Sequence, residues 1–148
     1  MFFKTFIIIT LFLNTIYAEI PKNSKCPVCG MITNKYPKWI ATIEEENGKV
    51  HYFDGVKDMM KFYFNPKKFH HKKNNFSKIR VNDYYTLKPI DAKTSWFVTH
   101  SNVYGPMGNE LIAFKTKEDA KEFLKEHFGK KIVNFKEITE DLVYLLDR

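Results

Sequence analysis

The chain has 148 residues, 24 Lys and Arg against 17 Asp and Glu, a net charge of +7 and two cysteines. The basic residues are scattered except for Lys67, Lys68 and residues 70–73, a cluster that reads as a solvated loop. An exported chain meets little nucleic acid, so the charge is not assigned to nucleic-acid binding. A disulfide between cysteines three positions apart closes too small a loop to add much stability, so the pair points to chemistry rather than to a staple.

Residues 1–4 carry a positive charge at Lys4, residues 5–13 form a short apolar run, and residues 14–18 end in the small residue Ala18. This is the pattern of a secretory signal peptide cut after Ala18, and the run is too short for a comfortable bilayer span. The expectation is a signal over 1–18, no stable membrane span after cleavage, and a soluble periplasmic protein beginning near Glu19. Asn23, Ser24 and Lys25 precede Cys26, so no lipobox is seen. Roughly 130 residues remain, enough for one ordinary domain or two small ones sharing an interface. Residues 19–25, polar with Pro21, read as a mobile lead-in.

Cys26-Pro27-Val28-Cys29-Gly30-Met31 holds both cysteines and places a thioether just beyond them. A Cys-x-x-Cys pair can grip one metal ion or form one disulfide. Met31 tilts the chemistry toward Cu(I), for which a thioether is a natural soft donor. Gly30 permits a tight turn that returns the Met31 sulfur toward the thiols. The alternatives are that Met31 merely fills core, or that Cys26 and Cys29 serve a periplasmic thiol-disulfide redox protein. A redox nucleophile wants a helix N-terminus, and Gly30-Met31-Ile32-Thr33 followed by Pro37 is not a helix opening. A haem-attachment site needs His after the second cysteine, where Gly30 stands. His70 and His71 have no spacing to the cysteines that supports a structural zinc site.

Residues 39–43 and 49–53 are rich in aromatic and β-branched side chains, with the hairpin signal Asn47-Gly48 between them. Asp54 reads as the N-cap of a helix whose apolar face is Val56, Met59, Met60, Phe62 and Tyr63, stopped at Asn65-Pro66. Residues 78–81 and 84–87 read as strands interrupted by Pro89. The pattern then repeats. Residues 96–99 answer 39–42, residues 111–114 answer 50–53, and Thr116 opens a second helix with Ala120, Phe123, Leu124 and Phe128 on one face. Phe53, Asp58 and Phe62 recur as Phe114, Asp119 and Phe123 at a constant offset of 61. Residues 132–135 close the second unit. The expected fold is α+β with two ββαβ units in tandem, over 26–90 and 91–140, and a tail over 141–148 with helical character. Between the strands of the second unit lies Tyr104-Gly105-Pro106-Met107-Gly108. Its apolar tip either tucks back into the core or offers its sulfur, and the residues alone favour tucking back.

The Cys-Pro-Val-Cys-Gly-Met motif, Phe53-Asp54-Gly55 to Met59, Asp91-Ala92, and Gly105-Pro106-Met107-Gly108 with Ala113-Phe114 together resemble the nitrous oxide reductase accessory protein family, NosL, over residues 26–138. The resemblance implies a periplasmic Cu(I) chaperone, not an enzyme, with a topology similar to the organomercurial lyase fold. It implies as partners nitrous oxide reductase or its periplasmic and membrane assembly complex. The site it implies is Cys26, Cys29, Met31 and Met107, with His51 and His100 as possible further ligands. Asp91 is given a turn role because a hard carboxylate suits Cu(I) badly. Trp39, Phe53, Trp96, Phe114, Met59 and Met60 are assigned to the core.

Overall fold

The computed structural model describes residues 19–72 and 75–148. The expected signal peptide lies outside the described residues, and no described helix is long and apolar enough to cross a membrane. β1 (Ala41–Glu45) and β2 (Val50–Phe53) form the first hairpin, with Ala41 opposite Phe53. Gly48, at φ 85°, supplies the left-handed turn that Asn47-Gly48 signals. α1 (Val56–Phe64) follows and ends at Asn65-Pro66 as expected. β3 (Phe76–Asn82) then pairs antiparallel with β1, Ile43 facing Ile79, and β4 (Pro89–Asp91) lines the outer side of β3.

The second unit repeats this arrangement with β5 (Trp96–Gly105), β6 (Gly108–Phe114), α2 (Lys117–Glu126) and β7 (Lys131–Asn134). The sheet orders are β2-β1-β3-β4 and β6-β5-β7. In each, the third strand of the unit returns beside the first, which is the expected α+β, twofold ββαβ pattern. The tail supplies α3 (Glu140–Leu145), whose N-cap Thr139 accepts from Leu142 N–H.

Several expectations need correction. Residues 84–87 are not a strand. The buried Asp83 carboxylate accepts from Thr86 N–H, Thr86 Oγ1–H and Lys115 N–H and bends the chain into a turn. β4 begins instead at Pro89, where a proline opening an edge strand removes no ladder bond. It crosses the boundary expected between residues 90 and 91. Matching registers also shift the repeat: Trp96 opposes Phe114 as Ala41 opposes Phe53, so residue 96 answers 41 rather than 39. Trp39 lies in a 3₁₀ turn, and both tryptophans are half-buried at the edge of the core that fully encloses Phe114, while Phe53 is buried in the other.

The second sheet explains why β6 reads as an unbroken apolar run. Leu111 and Ala113 face one core with Phe53, Met59, Phe62 and Phe97, while Ile112 and Phe114 face another with Val98, Ala120 and Phe123. Both faces of that sheet are buried, so alternation vanishes. The first core draws from both units and makes them one body.

Glu110, 2% exposed, is buried at this junction together with Lys57 and Asp58. Its carboxylate accepts the N–H groups of Lys57 and Leu111 and lies against Gly55. Burial, with Asp58 nearby, raises its pKa from 4.5 to about 8 against the pull of those two N–H donors and the Lys57 ammonium. A Cβ at Gly55 would land on this carboxylate. Gly55 φ is extended, so space rather than backbone conformation demands glycine there. Gly55→Ala is expected to destabilise the fold by about 1–3 kcal/mol in urea unfolding; an unchanged midpoint refutes the packing argument. Because the folded state holds the Glu110 proton more tightly than the unfolded chain, its contribution is complete at low pH and lost as pH rises through about 8. Unfolding midpoints measured across that range should fall, and Glu110→Gln should flatten the slope.

Candidate metal centre

The cysteine segment is a closed turn. Cys26 N–H donates to Met31 O at 2.9 Å, Gly30 N–H donates to Cys26 O at 2.9 Å, and Gly30 takes the left-handed φ of 77°. Lys25 bridges Ile32 across its base, where buried Thr33 donates N–H and Oγ1–H to Ser24 O. Cys26 is 1% exposed and joins the main core, while Cys29 is half-buried; both thiols are free.

The start of α1 brings two carboxylates to these thiols. Cys29 Sγ–H donates to Asp54 Oδ1 at 3.2 Å, and Cys26 Sγ–H to Asp58 Oδ2 at 3.7 Å. One ligand atom from each of Cys26, Cys29, Asp54 and Asp58 lies within 4.8 Å of all the others. Asp54 is therefore not the N-cap; Gly55 is, without a side-chain cap. The Lys57 N–H that an N-cap side chain would take is held by Glu110, which leaves Asp54 to face Cys29. Its Oδ2 is buried without a hydrogen-bond partner among the described residues. Asp58 stands one turn on, at the spacing that puts two helix-start residues on one side. That pair of aspartates one turn apart after a strand was the available sequence signal.

Burial raises the Cys26 pKa to about 11, with Asp54 and Asp58 adding to it. Burial pushes Cys29 up further still, reinforced by Cys26 and Asp54. Both thiols hold their protons at neutral pH. Redox cysteines of the Cys-x-x-Cys type need the opposite shift, and this segment runs into a 3₁₀ turn (Thr33–Lys35) rather than a helix. Neither the raised thiol pKa values nor the fold of the segment favours the thiol-disulfide reading.

Met107 sits in the β5–β6 turn, 42% exposed beside Tyr104 at 64%. It is not tucked into the core, contrary to the reading from residues alone. Its carbonyl accepts from Lys57 Nζ at 2.7 Å, and that buried ammonium also pairs with Asp147 Oδ1 at 3.0 Å. The loop is thus tied by its backbone to the first turn of α1, the helix that carries Asp58, while its thioether stays out of the core. Met31 is half-buried, and its carbonyl closes the cysteine turn. His51 does not join the cysteines but lies with Glu45 and His71. His100, at φ 53° in the irregular stretch of β5, joins neither cluster among the described residues. Asp91 accepts from Lys93 N–H, as a turn residue should, and Met59 and Met60 are fully buried core.

The NosL family profile matches residues 17–143. The chain belongs to the NosL family. It is 28% identical over 131 residues to the copper-binding lipoprotein NosL of Stutzerimonas stutzeri, covering 82% of this chain. The match spans only 65% of that relative's own length. The crystal structure of the copper chaperone NosL from Shewanella denitrificans superposes with a TM-score of 0.71 at 27% identity, over 83% of this chain and 95% of that one. The solution structure of apo-NosL from Achromobacter cycloclastes shares the fold, with a TM-score of 0.52 at 23% identity over 70% and 87% of the two chains.

Burial raises the Cys29 pKa and the Asp54 hydrogen bond adds to it, so Asp54→Asn should speed alkylation of Cys29 at neutral pH. In the parent chain the rate should instead climb as pH rises. Mass spectrometry of iodoacetamide-treated protein measures both; equal rates in parent and variant would remove Asp54 from the site's electrostatics.

Proposed function

We propose that this NosL family member is an exported Cu(I) metallochaperone that delivers copper for assembly of the nitrous oxide reductase copper centre. Its partners are that enzyme or its periplasmic and membrane assembly complex. The observation that carries the reading is the Met107 loop, tethered through Lys57 to the helix whose Asp58 faces Cys26. The donors are Cys26, Cys29, Met31 and Met107, a soft set suited to Cu(I).

The carboxylates give that set its logic. Two thiolates packed against the acidic side chains of Asp54 and Asp58 would crowd negative charge into a partly buried pocket, and unpaired buried charge is expensive. Neutral thioethers add soft ligation without adding charge, which is why Met31 and Met107 complete the set beside Cys26 and Cys29. Cys29, the more exposed thiol, is the entry ligand, and its proton leaves by way of Asp54, which already accepts it. Hard carboxylate oxygen does not compete for Cu(I) and serves the proton instead. An exposed Met107 lets an incoming ligand replace it without unfolding the core, which is what hand-over requires.

Reduced mature protein should bind one Cu(I) per chain and prefer it over Zn(II) at the thiols, as read by anaerobic competition titration. Since ligation releases the thiol protons, affinity should rise with pH. Met107→Ala should weaken Cu(I) binding while shifting stability by less than about 0.5 kcal/mol, the usual effect at an exposed position. A stability loss of about 2–5 kcal/mol with unchanged copper affinity would make Met107 a packing residue and sink its ligand role. Zinc held more tightly than Cu(I) at Cys26 and Cys29 would overturn the chaperone reading itself.

A further inference from the structure

A second group of side chains with metal-ligating chemistry lies apart from the thiols, at the turn end of the first hairpin. Glu45 ends β1, His51 stands on β2, and His71 follows the 3₁₀ turn Pro66–Phe69. One ligand atom from each lies within 4.8 Å of the other two. Glu45 Oε1 is 2.6 Å from His51 Nε2 and 3.2 Å from His71 Nε2. Only the first of these contacts is a hydrogen bond; among the described residues His71 Nε2 is buried with no hydrogen-bond partner.

The surroundings fix each donor. Asn47 Nδ2–H donates to the other Glu45 oxygen at 3.2 Å, which turns Oε1 toward the imidazoles. His71 N–H donates to Pro66 O at 3.0 Å after His70 takes a left-handed φ of 61°. The ring of Phe62 on α1 backs both histidines, at 4.9 Å from His51 and 5.3 Å from His71, and Phe76 stacks on His71 at 6.3 Å. Such an aromatic wall supplies packing but no hydrogen bonds, so among the described residues His71 Nε2 has no hydrogen-bond partner beyond the 3.2 Å approach of Glu45 Oε1. A buried polar atom without a partner asks for an explanation such as an ion.

We propose that Glu45, His51 and His71 form a second metal site, one that takes a borderline divalent first-row cation of the Zn(II) class and is separate from the cysteine turn. Two imidazoles and one carboxylate are a donor set that Zn(II) accepts while leaving a coordination position open. The set holds no sulfur, so it disfavours Cu(I), and the two sites sort ions by softness. Asn47 is the outer partner that orients the carboxylate, the kind of support that metal ligands commonly have. The metal enters by spreading the three donors, which now crowd about a single oxygen.

Co(II) is the probe, because only the cysteine site can add a sulfur-to-cobalt charge-transfer band. The mature chain and its Cys26→Ser/Cys29→Ser variant are titrated with Co(II), then with Zn(II). The variant should bind one Co(II) with ligand-field absorption of low coordination number and no charge-transfer band, and Zn(II) should displace it. Histidine resonances of His51 and His71 should broaden as cobalt is added. His71→Ala should weaken cobalt binding at least about tenfold, a loss that even an outer-shell partner can cause, without moving the melting temperature by a comparable degree. Should the double variant not fold, the mature chain reads the same question through cobalt that binds without the thiolate band. The site is refuted if all bound cobalt carries that band, or if His71→Ala leaves binding unchanged.

Discussion

The buried carboxylate of Glu110 is the contact on which the rest of the architecture depends. A helix N-terminus leaves backbone N–H groups without partners, and a buried carboxylate needs donors. At the junction of the two units each need answers the other: Glu110 on β6 takes the Lys57 N–H at the start of α1, with Gly55 leaving room for the approach. The first helix is thereby capped by the second unit rather than by its own sequence. Lys57 extends the link, its ammonium divided between the Met107 carbonyl and Asp147. One turn of helix thus fixes the β5–β6 loop and the C-terminal segment together.

That borrowed cap sets the electrostatics of the thiols. Asp54 stands one residue before the N-cap Gly55 and caps nothing, and it turns to Cys29 while Asp58 meets Cys26. Burial, reinforced by the neighbouring carboxylates, holds the protons on sulfur, the reverse of what fast thiol exchange needs.

The first hairpin carries two kinds of donor at its two ends. β2 begins near His51, whose imidazole meets Glu45 across the strand pair, and ends at Phe53 before Asp54 reaches the thiols. Phe62 packs on both His51 and Phe53, so one ring stands behind the histidine cluster and within the main core. Oxygen and nitrogen donors gather at the turn end, with sulfur at the helix end.

The sequence alone determined whatever depends on neighbours a few positions away. Gly30 and Gly48 adopt the positive φ that their turns imply, the Asn47-Gly48 hairpin pairs β1 with β2, and Asn65-Pro66 ends α1. The offset linking Phe53 and Phe62 to Phe114 and Phe123 was legible as well, because equal units bury equal positions. Both cysteines could be read as a site because their spacing is local. The partners of that site could not. Asp54 and Asp58 reach the thiols from 25 and 32 positions away, and Asp54 is free to do so only because Glu110, 53 positions from Lys57, caps the helix. The turn at Tyr84 was misread for the same reason, since Asp83 is anchored by Lys115 across the fold. Placing His71 beside His51 and Glu45 likewise required the packing of α1 on the first sheet. Local spacing sets turns and strands; which carboxylate meets which thiol or imidazole is decided where the two units and their helices close on one another.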